Sequence, residues 1–164
     1  MVNLEHALSE SRAAVDQMMA AAERSGPAWT TPRAPGKWSP SQVVEHVARA
    51  IEESANAASG KPTKFPAFPR LVRPVIRKIF FDRTVRNGTF PRGKTNKAMN
   101  PEFGSQTPAE ARLRLEQAHA AFEQACRQCG GTFDHGIFGT VTAADYATFQ
   151  AMHTRHHTRQ IGES

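Results

Sequence analysis

Three of the seven histidines of this chain fall within five residues, at His153, His156 and His157. On a helix with 100° per residue, His153 and His157 lie about 40° apart, and His156 lies about 60° from His153 at the edge of the same face. Two imidazoles one turn apart on one face can direct nitrogens to a common point, which suits a divalent ion bound at about 2.0 to 2.1 Å. The pair His153 and His157 therefore predicts part of a metal site.

A metal site needs a further ligand, and His46 is the best candidate. Ligands of metal sites in helical bundles project inward from facing helices. His46 is flanked at helical spacing by apolar residues that would direct it toward the interior, namely Val43, Val47 and Ala50. The other histidines lack comparable support: His6, His119 and His135. The alternative is that these are hydrogen-bonded core histidines without a metal.

The chemistry of such a site is restricted by what the sequence omits. No glutamate follows His153, so the H-E-x-x-H arrangement is absent and peptide hydrolysis is disfavoured. Three histidines leave positions for water or substrate, and the ion could lower the pKa of bound water or of a coordinated thiol, which permits hydrolysis or thiol transfer. Tyr146, Gln150 and His156 share this face and are expected to support the ligands or contact a substrate, although packing at the core edge is an equal alternative.

The elements that must position these residues begin with clear capping signals. Ser39, Thr107 and Thr142 each precede a side-chain acceptor by three residues, and the first two are followed by proline. Apolar residues at helical spacing predict four long helices, over residues 3–25, 39–59, 107–129 and 142–161. Strand signals are almost absent. We predict an all-α, four-helix bundle that forms a single domain over residues 1–164.

A long crossover connects the second and third of these helices. From Lys61 to Lys97 it contains eleven Lys or Arg residues and one acid, and prolines confine its one short helix to residues 74–86. The apolar residues of that helix are expected to pack into the domain rather than onto a membrane surface: Val75, Ile76, Ile79 and Phe80. The cations Arg73, Arg77 and Lys78 are expected to attract an anionic partner. Around Arg92, Lys94 and Lys97 we predict a mobile loop.

Composition excludes several classes of protein. The chain has 164 residues, 39% hydrophobic and 22% charged, which is typical of one globular domain. It has no apolar run of the roughly 18 to 20 residues that span a bilayer and no signal-peptide pattern, so the cytoplasm is the expected location. Cys126 and Cys129 are too few for a disulfide scaffold. We interpret them as one packing residue and one surface thiol.

Two segments resemble DinB-like proteins, a family of metalloenzymes that share a four-helix bundle. Residues 38–47, WSPSQVVEHV, resemble the tryptophan, helix cap and first ligand histidine of that family. Residues 138–142, FGTVT, followed by residues 153–161, HTRHHTRQI, resemble its last helix. The resemblance implies that His46, His153 and His157 bind a divalent metal, which could be Zn, Ni, Fe or Mn, in a site completed by water. It does not extend over the basic crossover.

The resemblance also implies a choice of functions. DinB-like proteins include S-transferases that use bacillithiol, isomerases that use mycothiol, and many dimers. A metal-dependent enzyme acting on a small molecule, as an S-transferase or a hydrolase, is therefore the leading hypothesis. An anionic substrate, a low-molecular-weight thiol and a homodimer are further expectations. One alternative is a non-enzymatic module that binds nucleic acid or another anion through residues 61–97, with five phenylalanines stacking on bases, although this is disfavoured. The other is a structural helical dimer.

Overall fold

The computed structural model describes residues 3–90 and 96–162 of the chain. It is mostly helical, with long helices α1 (Leu4–Arg24), α2 (Pro40–Ala58), α5 (Pro108–Gln128) and α6 (Ala143–Gly162). The crossover between α2 and α5 contains the short helices α3 (Arg73–Ile76) and α4 (Arg83–Asn87), which are joined by a π-helical segment, Arg77–Asp82. Strands β1 (Thr132–His135) and β2 (Gly139–Thr142) precede α6. The four long helices thus lie within two residues of their predicted bounds.

The predicted helix starts are confirmed. Ser39 and Thr107 each form a capping box, in which the hydroxyl accepts a backbone N–H three residues on and the side chain of that residue returns to the cap. Thr142 Oγ1 accepts from the backbone N–H of Asp145 at 3.1 Å. Proline follows Ser39 and Thr107 at a position where its missing N–H costs no hydrogen bond. These local signals fix where α2, α5 and α6 begin.

The long helices share one hydrophobic core. α1 packs mainly against α6, and α2 packs mainly against α5, with further contacts between α2 and α6 and between α1 and α5. All four helices contribute fully buried side chains, for example Leu8, Ile51, Leu115 and Ala147. Among the described helices, none combines the length and the apolar character that crossing a bilayer requires. Because each helix buries one face in a common core, α2 and α6 are held side by side, and these are the helices that carry the predicted ligands.

The prediction that strands are almost absent is wrong for residues 132–142, which form an antiparallel hairpin. Phe133 pairs with Val141 and His135 pairs with Gly139. The strands have four residues each, so the alternation that buries Phe133 and His135 is too short to stand out in the sequence. Gly139 has φ +70°, a conformation that other residues rarely adopt. The hairpin places His135 in the interior, close to α6.

The crossover helix differs from its prediction in the direction of its side chains. Ile76 and Phe80 pack against the core and Phe81 is 1% exposed, but Val75 and Ile79 are 57% and 63% exposed. The expectation that the apolar residues of this helix all pack inward is therefore wrong for Val75 and Ile79. The sequence places apolar residues on both faces, and one helix can bury only one of them against the domain. The predicted loop residues Arg92 and Lys94 lie outside the described residues.

Candidate metal centre

The three predicted ligand histidines lie together. His46 on α2 and His153 and His157 on α6 are all buried, and one ligand atom from each lies within 4.8 Å of the other two. The ring centroids are 4.5 Å apart for His46 and His157 and 4.6 Å apart for His153 and His157. These three side chains could hold a metal ion. Among the described residues, no other group of three His, Cys, Asp or Glu side chains does so.

The spacing of two ring nitrogens fits a common ion. His46 Nε2 and His153 Nε2 are 3.3 Å apart. Two nitrogen ligands of a tetrahedral zinc ion, each about 2.05 Å from it, are also about 3.3 Å apart. The donor set has the same chemistry, because imidazole nitrogens suit Zn, Cu, Fe and Ni. The residues therefore fit a divalent ion.

The protonation state of the three rings also favours metal binding. Burial is the largest cause that lowers the pKa of His46, and it lowers the pKa of His157 to about 3. Burial, followed by the charges of His157 and His46, holds the pKa of His153 well below its usual range. An imidazole must be neutral to donate a lone pair to a metal. All three rings are therefore neutral at physiological pH.

Outer hydrogen-bond partners orient two of the rings. His46 Nδ1 lies 2.8 Å from the backbone oxygen of Met99, and His157 Nδ1 lies 2.8 Å from Oε1 of Gln160. Both partners are acceptors, so each Nδ1 carries the proton and each Nε2 presents a lone pair to the centre. Trp38 packs over this arrangement, with its ring 4.9 Å from that of His46. The tautomers of His46 and His157 are thus set by the fold.

The loop that carries Met99 is itself attached to the start of α2. Asn96 caps the turn at Met99 by accepting its backbone N–H at 3.0 Å. Ser41 Oγ donates to the backbone oxygen of Ser105 at 2.7 Å. A Cβ on Gly104 would lie 2.3 Å from the backbone oxygen of Ser41, so only glycine permits this approach. These contacts hold the Met99 carbonyl at a fixed position beside His46.

Replacing Gln160 with leucine is expected to weaken zinc binding about 10- to 100-fold, because His157 would lose the acceptor that fixes its tautomer. The zinc dissociation constant is measured by competition with a chromophoric chelator. Gln124→Leu, which alters an exposed glutamine of α5, serves as the control and should retain the affinity of the wild type. Equal affinities for Gln160→Leu and the wild type would contradict this role for Gln160.

The histidines form part of the wall of a cavity of about 1040 Å³. Six of its lining residues are tryptophan or phenylalanine: Trp38, Phe65, Phe80, Phe90, Phe138 and Phe149. The charged side chains that line it are Arg33, Lys37 and Arg159, all of them exposed cations. None of the described lining residues carries a carboxylate. The cavity is therefore suited to an apolar molecule with an anionic group.

A second polar group lies beside the histidine centre. Tyr146 Oη lies 3.0 Å from Nε2 of His135 and 3.2 Å from Oγ of Ser54, and Nε2 of Gln150 donates to the same Oγ. Burial lowers the pKa of His135 to about 4 and raises the pKa of Tyr146 well above its usual range. Both groups are neutral at physiological pH. They form a fixed, uncharged hydrogen-bonded chain that connects α2, α6 and the hairpin.

The other predicted site residues fall into two groups. Tyr146, Gln150 and His156 line the cavity. Arg73 and Arg77 instead attach the crossover to the hairpin: Arg73 pairs with Asp134 at 3.1 Å and Arg77 donates to the backbone oxygen of Thr140. Neither they nor Lys78 line the cavity. The cations at the cavity come from the segment before α2 and from the end of α6, where the sequence analysis did not place any.

Sequence reasoning missed His135 as a cavity residue. The signal that could have identified it is the alternation of Phe133 and His135. This alternation indicates an inward-facing His135 only if residues 132–142 are first predicted to form a hairpin. The phenylalanines that were considered for base stacking mostly face inward: Phe65, Phe80 and Phe90 line the cavity and Phe81 is buried. The fifth, Phe68, is 38% exposed, so one of the five remains placed to stack on a base.

The two cysteines lie away from the cavity. Both are free, Cys126 is buried, and Cys129 is half-buried. Burial raises the pKa of Cys126 to about 12. A thiol this strongly protonated is a poor nucleophile. Any thiol that reacts at the histidine centre must therefore come from outside the chain.

Comparison with protein families identifies the chain's relatives. The family model of the DinB superfamily matches residues 4–161, which is nearly the whole chain. The chain belongs to the DinB superfamily. No curated protein and no solved structure gives a significant match.

Proposed function

We propose that this DinB-superfamily protein is a metal-dependent enzyme that acts on a small molecule bound in the cavity. The observation that carries the proposal is the convergence of three neutral, buried imidazoles from α2 and α6 on one point of the cavity wall. A metal buried away from any cavity would serve stability alone. Here the ligands line a cavity of about 1040 Å³, so a substrate bound in the cavity would lie next to the metal.

Thiol transfer is the reaction that the lining residues favour. A bound divalent ion, Zn, Ni, Fe or Mn, would lower the pKa of a coordinated thiol or water. Hydrolysis usually also needs a general base, and the described lining residues contain no carboxylate, which leaves His156 as the candidate for that role. A thiol needs only to be deprotonated at the metal. We therefore infer an S-transferase, with hydrolysis as the second possibility, and a low-molecular-weight thiol as co-substrate.

The charge of the cavity indicates the substrate class. Arg33, Lys37 and Arg159 line it and are exposed, whereas its phenylalanines are buried or half-buried. Cations at the entrance of a cleft attract anions and raise their local concentration. We infer that the substrate or the thiol carries a negative charge, and that an apolar part of the same molecule packs on the phenylalanines.

We also infer the assembly and the location. The four long helices would form the bundle of DinB-like proteins, and a homodimer is the assembly that this resemblance supports. The free cysteines are compatible with the reducing cytoplasm. Size-exclusion chromatography with light scattering tests the dimer directly.

Metal analysis tests the proposed centre. Wild-type protein purified without a histidine tag is expected to contain about one equivalent of divalent metal, because three neutral ligands converge. The double variant His153→Ala and His157→Ala is expected to contain none. His6→Ala, which alters an exposed histidine of α1, is the control and should retain the metal. A wild type without stoichiometric metal, after incubation with each of the four candidate ions, would refute the proposal.

Activity separates an enzyme from the other functions. Metal-loaded and chelator-treated protein are compared for the loss of free thiol when cysteine reacts with the electrophile 1-chloro-2,4-dinitrobenzene. Metal-dependent acceleration that the double variant lacks supports the S-transferase. A metal that raises the unfolding temperature without accelerating this or an ester-hydrolysis reaction indicates a structural role. Salt-sensitive binding of duplex or single-stranded DNA would instead favour the basic-segment alternative.

A further inference from the structure

Three buried polar side-chain atoms on α6 have no hydrogen-bond partner, and two of them belong to residues at the cavity wall that are three residues apart. These two are Oε1 of Gln150 and Nδ1 of His153. Residues three apart on a helix are neighbours on its surface. A buried polar atom without a partner costs free energy, and each one in a native structure needs an explanation. These two have a common explanation in the hydrogen-bond pattern around them.

Gln150 presents its oxygen because its nitrogen is already engaged. Ile137 N–H donates to Nδ1 of His135, so Nε2 of His135 carries the proton and donates to Tyr146, which in turn donates to Ser54. Ser54 donates its own proton to the backbone oxygen of Ala50 at 2.6 Å. Its Oγ can therefore only accept, and it accepts from Nε2 of Gln150. The amide orientation is thus fixed, and Oε1 remains an acceptor in need of a donor.

Without a metal, Nδ1 of His153 is also an acceptor that lacks a donor. His46 carries its proton on Nδ1, which donates to Met99, so Nε2 of His46 is an acceptor. The 3.3 Å contact between the two Nε2 atoms is then a hydrogen bond in which His153 is the donor. A neutral imidazole has one proton, so Nδ1 of His153 is an acceptor in this state. Oε1 of Gln150 and Nδ1 of His153 are both acceptors and cannot bond to each other.

Metal binding would reverse this pattern. When Nε2 of His153 donates its lone pair to an ion, the single proton of the neutral ring must be on Nδ1. Nδ1 then becomes a donor, and Oε1 of Gln150, one helical turn earlier on the same cavity wall, is a buried acceptor that lacks a donor. Each ligand histidine would have one outer acceptor: Met99 for His46, Gln160 for His157 and Gln150 for His153.

We propose that Gln150 is the positioning residue of His153, accepting a hydrogen bond from its Nδ1 only in the metal-bound protein. The proposal deepens the proposed function and rests on its metal site. It means that metal binding exchanges the tautomer of His153, and that the hydrogen-bonded chain of His135, Tyr146 and Ser54 supports the metal centre by holding the Gln150 amide. Metal-ligating histidines are generally oriented by such outer partners.

Zinc affinity of Gln150 variants gives the first measurement. Gln150→Leu is expected to bind zinc about 10- to 100-fold more weakly than the wild type in competition with a chelator. Gln150→Glu keeps an acceptor for Nδ1 of His153 but loses the donor to Ser54, so its zinc affinity should exceed that of Gln150→Leu. Thr154→Val is the matched control, because Thr154 Oγ1 is another buried, unpartnered atom one turn further along α6. It should bind zinc like the wild type.

The tautomer of His153 gives a second measurement that a merely structural role would not change. Long-range ¹H–¹⁵N correlation spectra of the wild type are expected to show the His153 proton on Nε2 in chelator-treated protein and on Nδ1 after one equivalent of zinc. These spectra need no variant, so a Gln150→Leu protein that fails to fold does not prevent the test. A proton on Nδ1 without zinc, or equal zinc affinity in Gln150→Leu and wild type, overturns the proposal.

The outcomes separate this proposal from the proposed function. Zinc binding that depends on Gln150, in a protein without metal-dependent turnover, supports this role and refutes the enzyme. Zinc binding and turnover that are both indifferent to Gln150 refute this role alone. A protein that binds no zinc refutes both.

Discussion

Acidification from pH 7 to pH 4.5 is expected to unfold the metal-free protein, because five of its histidines are buried: His46, His119, His135, His153 and His157. His119 and His135 lie outside the metal centre and give the clearest case. Burial lowers the pKa of each to about 4, with a smaller contribution from neighbouring arginines. In the unfolded chain a histidine has a pKa of about 6.5. The unfolded chain therefore binds more protons in this interval.

The sign and size follow from proton linkage. Because the folded pKa is the lower one, the stabilisation is fully present above about pH 6.5 and is lost as the pH falls toward 4. A depression of about 2.5 pKa units corresponds to about 3 kcal/mol for each histidine. At pH 4.5 most of this is lost for each group, so the two together would remove about 5 kcal/mol, which is comparable with the entire stability of many domains, about 5 to 15 kcal/mol. The measurement is urea unfolding in the presence of a chelator at a series of pH values.

A paired substitution tests the assignment to individual histidines. His119 Nε2 lies 3.0 Å from Ser11 Oγ between α1 and α5, and both residues are fully buried. Replacing both with apolar residues, as in Ser11→Ala with His119→Leu, removes the titrating group without leaving a buried partner unsatisfied. The slope of the unfolding free energy against pH gives the number of protons taken up on unfolding, and this number should decrease by up to one. His6→Gln, on the exposed face of α1, is the control. An unchanged slope in the double variant would show that His119 is not the source.

The parts of this structure that the sequence predicts are those with local causes. A hydroxyl, a proline and an acceptor three residues on define a helix start whatever the rest of the chain does, and the predicted starts at Ser39, Thr107 and Thr142 are confirmed. The inward positions of His153 and His157 follow in the same way from helical periodicity. His46 needed one further assumption, namely that α2 buries its apolar face against α6.

The parts that the sequence did not predict depend on contacts between distant segments. Met99 orients His46 through a backbone oxygen, and every residue has one, so no side chain in the sequence marks this role. His135 reaches the cavity through a hairpin whose strands have only four residues. Arg73 and Arg77 were expected to attract anions, but the carboxylate of Asp134 and a carbonyl of β2 lie within their reach. Periodicity within one segment contains no information about such partners.

Truncating Phe81 is expected to destabilise the protein by about 3 to 5 kcal/mol, the usual cost of Phe→Ala in a core. Phe81 lies in the π-helical segment and is 1% exposed. Its ring centroid lies 5.0 to 5.9 Å from those of Phe138, Tyr146 and Phe149, so its loss leaves a cavity against both the hairpin and α6. Urea unfolding at pH 7.5 measures the change in the free energy of unfolding.

Two isoleucines of the same crossover provide a matched comparison. Ile76 packs against the core, whereas Ile79 is 63% exposed. Ile79→Ala is expected to change stability by less than about 0.5 kcal/mol, as for most surface substitutions. Ile76→Ala should cost more, because it removes apolar surface that is partly buried. If Ile79→Ala were as costly as Ile76→Ala, the outer face of this helix would be covered in solution. Ile79 would then be buried as well, as the sequence predicted for the apolar residues of this helix.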